Sequence, residues 1–264
     1  MKQNTQKITT GIDKLDSLFI GLKPNSIILL GGKPENDVTT FSLNLLANLC
    51  IRGKKCLFCS FGLWRQELLR RLIVRKLHND FMEVEKSHFK NYLSFIAKAL
   101  ENISQWDLET FELLGDEHSL ELKIKEFKPD YIFIDCYEDL EQLISFDNDV
   151  VNFVKEIAEK YNASIFINTL LRRNISERTP KCITILDINV PKEIIKMADD
   201  IILAYYYDYA EFRCRYVEKE KKSNWYYICK IKQNDYSKLW YKYGQNMVIP
   251  FFINTLCTHK EQSG

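Results

Sequence analysis

The sequence predicts an α/β protein: a mainly parallel β-sheet flanked by helices, followed by a C-terminal antiparallel extension. Short apolar runs (Ile27 to Leu30, Cys56 to Ser60, Tyr131 to Ile134, Ala163 to Ile167, Ile201 to Tyr205) alternate with segments of helical period. Strands that read as continuous apolar runs are those buried on both faces of a parallel sheet. From Phe212 onward the pattern changes to aromatic-rich alternating runs joined by short polar turns, as in antiparallel strands. No internal repeat or linker interrupts the chain, so residues 1–264 are expected to form one domain, with 1–8 and 258–264 as flexible tails.

Each element has its own justification. Thr39 to Ile51 places Phe41, Leu43, Leu45, Leu46 and Leu49 at helical spacing, and Gly53 is a suitable stop. Trp64 to Leu77 reads as a basic amphipathic helix with Leu68, Leu69, Leu72 and Ile73 on its apolar face, and Glu83 to Ile103 as another helix. A strand follows near Thr110 to Leu114, then a helix over Ser119 to Phe127. Pro129 precedes the strand Tyr131 to Asp135, which ends in a carboxylate. Val150 to Tyr161 is a helix, Ala163 to Ile167 a strand, and Pro191 to Met197 a short helix before the strand Ile201 to Tyr205. The antiparallel strands are Phe212 to Val217, Trp225 to Lys232, Lys238 to Tyr243 and Val248 to Ile253.

Composition bounds the function. The chain has 264 residues, 46% of them hydrophobic and 28% charged, as in an ordinary globular protein. Its net charge of +1 gives no global field for nucleic acid, so any such contact needs a local patch. The polar start M-K-Q-N-T-Q-K lacks the apolar stretch of a signal peptide, and no run of about 18 apolar residues predicts a membrane span. Eight cysteines scattered through apolar segments read as buried, reduced thiols, and the expected location is cytoplasmic. In the one C-x-x-C, Cys56 and Cys59 fall three apart on a predicted strand and so on opposite faces, which favours packing over metal or redox chemistry. The four histidines are far apart in charged surroundings and are expected on solvated faces.

The stretch most suggestive of chemistry is Ser26 to Phe41, S-I-I-L-L-G-G-K-P-E-N-D-V-T-T-F. Strand, glycine turn, short polar loop and helix are the parts of a phosphate-binding loop, where loop amides and a helix N-terminus hold the anion. A working loop of this kind ends in Gly-Lys-Ser/Thr. This one ends in Asp37-Val38-Thr39.

With the strands placed, the order of motifs resembles the RecA-like ATPase core of DnaB-type replicative helicases, from about Thr10 to Phe252. T-G-I-D-K-L-D-S-L-F-I-G-L-K-P-N is similar to that family's lead into the first strand, and G-G-K-P-E-N-D-V-T-T-F lines up without gaps on its P-loop. Asp135 in Y-I-F-I-D matches the Walker B carboxylate, and the block Asp187 to Ile202 keeps the spacing before the family's late core strand. The resemblance implies a RecA-like P-loop NTPase fold and a nucleotide-binding loop made of Gly32, Lys33, Pro34, Asp37, Val38, Thr39 and Thr40.

Position by position, the phosphoryl-transfer parts implied by the resemblance are altered. Asp37 replaces a glycine with an anion, and Val38 replaces the lysine that reaches the terminal phosphates. Two charges about 4 Å apart interact by roughly 4 kcal/mol at an effective dielectric of about 20, so these changes are expected to cost several powers of ten in triphosphate affinity. Thr39 survives at the Mg²⁺ position, but Ser and Thr are favoured at any helix start, and that is the reading given to it. The position of the family's water-activating glutamate is Gly62, which leaves no general base there. The nearest downstream carboxylate, Glu67, is read as a surface residue of the following helix. The γ-phosphate-sensing position is Thr169. Lys230 and Lys232 match trans-acting basic positions, although lysine cannot form the bidentate clamp of an arginine.

Two readings follow. In the favoured one the chain is a pseudo-ATPase with a degenerate Walker A motif, without catalytic residues or cofactor. It then acts as a protein- or DNA-interaction module in DNA replication or mobile-element biology. Its partners would be like subunits or an active helicase in a ring-like oligomer, or single-stranded DNA, and not a membrane. The loop with Arg172, Arg173, Arg178 and Lys181 lies where such helicases contact single-stranded DNA, though a basic surface loop is also often simply solvated. In the alternative reading the chain is an active ATP-dependent DNA helicase or DNA-dependent ATPase, with ATP and Mg²⁺ held at Thr39 and Asp135 and non-standard catalytic residues. The C-terminal aromatics, such as Trp225, Tyr226, Tyr227 and Trp240, are suited to stacking bases but by default pack across antiparallel strands.

Overall fold

The computed structural model describes residues 9–12, 16, 24–32, 37–60, 63, 65–73, 92–112, 116–144, 149–171, 187–208, 211–218, 225–232 and 252–260. Over 203–208, 211–218, 225–232 and 252–260 it is the path of the backbone that is described.

Among the described residues nine strands form one sheet: β1 (Ile27–Gly32), β2 (Cys56–Ser60), β3 (Leu108–Glu112), β4 (Tyr131–Asp135), β5 (Ser164–Leu170), β6 (Asp200–Asp208), β7 (Glu211–Glu218), β8 (Trp225–Lys232) and β9 (Phe252–Lys260). Their order is β3-β2-β4-β5-β1-β6-β7-β8-β9. The first six in that order run parallel, and β6 to β9 pair antiparallel. β1 lies between β5 and β6 with every residue buried, which is why its sequence is an unbroken apolar run ending in glycine. β3, at one edge, is half-buried throughout and correspondingly mixed in sequence.

The helices are α1 (Asp37–Ile51), α2 (65–73), α3 (Tyr92–Ser104), α4 (Glu117–Phe127), α5 (Tyr137–Leu143), α6 (Val150–Tyr161) and α7 (Lys192–Met197). They cover both faces of the parallel sheet. On one face α1 and α2 pack with Ile28, Leu30, Cys56, Phe58, Phe133 and Phe166; on the other, α4 to α7 pack with Leu29, Leu57, Cys59, Ile132, Ile134 and Ile167. Cys56 and Cys59 therefore lie in different cores, as strand alternation requires, and burial pushes the Cys59 thiol up. In α1, Phe41, Leu43, Leu46, Ala47 and Leu49 are fully buried, so the helix is a core element rather than a one-sided surface helix. It stops where expected: Gly53 has φ +70° and donates its amide to the Cys50 carbonyl at 2.9 Å. In the same core Phe133 and Phe166 stack with centroids 4.6 Å apart.

Several boundaries differ from the sequence expectation. β3 begins two residues earlier, at Leu108, in register with Cys56. α4 begins at Glu117 rather than Ser119 because Asp116 caps it, accepting from the Ser119 amide at 2.8 Å. α5 has no counterpart in the expectation; its seven residues carry three carboxylates, which hide the buried i, i+3, i+6 spacing of Tyr137, Leu140 and Leu143. β9 runs from Phe252 to Lys260, later than Val248 to Ile253. It takes in positions 258–260, expected above to belong to a tail, because its backbone continues the ladder with β8 as far as Trp225↔Lys260. The expected strand Lys238 to Tyr243 and residues 74–91, including His78 and His88, lie outside the described residues, and His118 is exposed on α4. Among the described residues no helix is long and apolar enough to cross a membrane.

Candidate functional site

The C-terminal ends of β1, β4 and β5 and the start of α1 converge. Gly32 closes β1 at the turn; a Cβ there would sit 2.7 Å from the Val38 Cβ, so only glycine permits this approach of loop to helix. Val38 is 3% exposed and belongs to the core beneath α1. Asp37 is the first residue of α1, and Thr39 and Thr40 are half-buried in its first turn. Lys33, Pro34 and Gly62 lie outside the described residues.

Thr39 and Asp135 are brought together. The Thr39 hydroxyl donates to both carboxylate oxygens of Asp135, at 2.9 Å to Oδ1 and 3.1 Å to Oδ2. Thr39 is the third residue of α1, at the helix start as expected, and its hydroxyl is directed to β4 rather than to a capping amide. Asp135 also accepts from Asn168 Nδ2 at 2.7 Å, and the same amide nitrogen lies 3.2 Å from Ser42 Oγ on α1. Burial pushes the Asp135 carboxyl above its ordinary value. The Asn168 and Thr39 hydrogen bonds and the charge of Arg71 pull it down, and Asp139 opposes them.

Thr169 is fully buried but faces away from this cluster, because adjacent strand residues point to opposite faces. Its hydroxyl donates to Glu138 Oε1 at 3.2 Å, and the Leu170 amide donates to the same oxygen at 3.2 Å. Glu138 Oε2 is buried without a hydrogen-bond partner. The residue that β5 delivers to Asp135 is Asn168, which sequence reasoning missed. The signal was its place one residue before Thr169, directly after the apolar run Ile165 to Ile167.

Glu67 is not a lone surface carboxylate. It pairs with Arg70 at 2.6 Å and Arg71 at 2.9 Å, and Arg71 is buried. The Arg70 hydrogen bond foremost, with help from Arg71 and against desolvation, brings the Glu67 carboxyl down to about 2, far too acidic for a general base at neutral pH. Lys230 and Lys232 occupy β8 positions in register with Arg213 and Glu211 of β7. Arg172, Arg173, Arg178 and Lys181 lie outside the described residues; the chain reaches them directly after Leu171, which bridges Ile188. No group of three or more His, Cys, Asp or Glu side chains among the described residues is placed to hold a metal ion.

A parallel sheet wrapped by helices, with a glycine turn and a Thr–Asp pair at its C-terminal edge, defines the class of RecA-like P-loop NTPase folds. Solved structures of that class superpose on it. One is an isolated ATPase domain (TM-score 0.66, 19% identity, covering 89% of this chain and 86% of that one). Another is a DnaB-like replicative helicase, solved in a study of its interactions with primase (TM-score 0.69, 17% identity, covering 87% and 60%). Within the class, the family model for the DnaB-like helicase C-terminal domain matches residues 7–247, and the chain belongs to that family. A probable replicative DNA helicase of Trieres chinensis is 23% identical over 213 residues, 75% of this chain; the chain spans about half (47%) of that relative's length.

Proposed function

We propose that this DnaB-like domain is a pseudo-ATPase that serves DNA replication as an interaction module. It would bind like subunits, an active helicase or DNA through the surface its relatives use as ATPases. The observation that carries this reading is Val38. Where the family's P-loop has the lysine that reaches the phosphates, this chain has a valine at 3% exposure, packed into the core beside Gly32. A buried aliphatic side chain offers no charge to a triphosphate. The neighbouring Asp37 puts an acidic residue where the family's P-loop has a glycine, which adds repulsion for a phosphate. The residues present do not fit ATP with Mg²⁺.

A second reading, an active ATPase with displaced catalytic groups, draws on one observation: the Thr39–Asp135 pair is still assembled at 2.9 Å. Titration of the purified chain with a fluorescent ATP analogue, with and without Mg²⁺, separates the two. Absence of binding at millimolar ligand is the expected result and ends the second reading, whereas micromolar, Mg²⁺-dependent binding ends the first.

A further inference from the structure

Two neighbouring polar residues of β5 are both buried and serve opposite faces. Thr169 ties the strand to α5 through Glu138, and Asn168, 1% exposed, ties it to Asp135 and α1. The orientation of the Asn168 amide is dictated by its neighbour, since a carboxylate accepts hydrogen bonds only and Asn168 Oδ1 facing it would be repelled. The 2.7 Å separation is that of a charge-assisted bond, among the stronger hydrogen bonds in proteins. Asp135 Oδ1 thus has two donors, from β5 and from α1, and Oδ2 shares the Thr39 hydroxyl.

The geometry points to Asn168 as a positioning residue that fastens the Asp135 carboxylate to the sheet and to α1, and that fills with a protein donor a lone pair of Oδ1 for which a metal ion or its bound water would have to compete. The loss of the metal site is then separate from the loss of the phosphate-binding cation. Val38 and Asp37 remove the attraction for phosphate, and Asn168 independently competes for the carboxylate that would hold Mg²⁺. This inference rests on the pseudo-ATPase reading and adds a second, separable cause to it. Ser42 supports the arrangement: its hydroxyl lies 3.2 Å from Asn168 Nδ2, holding the amide between α1 and β4. Asn168 Oδ1 is left without a partner, so the side chain is not placed there for its own satisfaction.

The test restores the phosphate loop first and then releases the carboxylate. The full chain is prepared as native protein, as Asp37→Gly/Val38→Lys, and as that double variant carrying Asn168→Ala or, as a milder change, Asn168→Ser. Each is titrated with a fluorescent ATP analogue with Mg²⁺ and with EDTA. The native chain is expected to bind in neither condition. The loop-restored chain is expected to bind with little difference between the two. Either substitution at Asn168 is expected to raise affinity in Mg²⁺ alone by about tenfold, the scale of one hydrogen bond to a charged group. A purely structural role for Asn168 would change stability and leave the ratio of the two affinities unmoved. Full Mg²⁺ dependence in the loop-restored chain with Asn168 intact overturns the proposal, as does a ratio that neither substitution changes or an absence of binding in every variant. Nucleotide binding by the native chain is a different outcome and removes the pseudo-ATPase reading itself.

Discussion

Asp135 shows how a buried carboxylate can be held and still be costly. Burial raises its pKa more than Asn168, Thr39 and Arg71 lower it, so the folded state binds the proton more tightly than the unfolded chain does. For an acid shifted in that direction, the associated stability is fully present below the ordinary value of 3.8 and is lost as pH rises through the folded-state pKa. At neutral pH the residue is therefore a net cost to stability. Asp135→Asn, which keeps an acceptor for Thr39, is expected to raise the denaturation midpoint at pH 7 and to lose that advantage at a pH below the ordinary carboxylate value, as urea titrations at the two pH values would show. Thr39→Val should cost about 1 kcal/mol at pH 7 by leaving the carboxylate short of a donor; an unchanged midpoint would mean that the Thr39–Asp135 bond contributes nothing. Glu67 behaves in the opposite sense. Its pKa is lowered from 4.5 to about 2, so its contribution is present above 4.5 and is lost as pH falls toward 2. With its side chain 29% exposed, solvent screening limits that contribution to about 1 kcal/mol. Glu67→Gln should flatten the acid limb of the stability profile by that amount.

At the scale of elements, what was legible in the sequence followed burial. β1, β2, β4 and α1 are buried throughout or nearly so, and their apolar runs and helical spacing announced them. Elements with polar surfaces were harder to place. α5 is masked by Glu138, Asp139 and Glu141, and the start of α4 is set by a single cap at Asp116 rather than by an apolar residue. Asn168 escaped notice for a related reason: side-chain direction at a strand end depends on register, and only the pairing Leu30↔Asn168 fixes which residue of β5 faces α1. The cap makes a prediction at this scale. Asp116→Ala removes the acceptor for the Ser119 amide and should destabilise the domain by about 1 kcal/mol, seen as a lower melting temperature. Asp116→Asn, which keeps a capping oxygen, should recover most of the loss, whereas a melting temperature indifferent to both would mean that α4 is held by packing of Leu120 and Ile124 alone.

The whole molecule is nearly neutral, with a net charge of +1, so any attraction for DNA would have to be local rather than come from an overall field. The chain beyond β5 carries a group of cations, Arg172, Arg173, Arg178 and Lys181. If this segment carries single-strand binding, affinity should fall with salt by about 0.7 logarithmic units per phosphate neutralised. Four contacts then set an upper slope of about 2.8 by the same relation. The double variant Arg172→Ala/Arg178→Ala should lower the slope by about 1.4 while leaving the melting temperature unchanged, because counterion release scales with the number of phosphates contacted and not with the fold. Fluorescence anisotropy of labelled oligothymidine across a salt series measures the slope, and a thermal melt the stability. A slope that survives the double variant moves DNA contact elsewhere on the molecule, and an absence of salt-sensitive binding leaves protein assembly as the module's role. The same series repeated with Mg-ATP adds an independent check: with Val38 in the core and Asp135 fastened, nucleotide should change neither the slope nor the affinity.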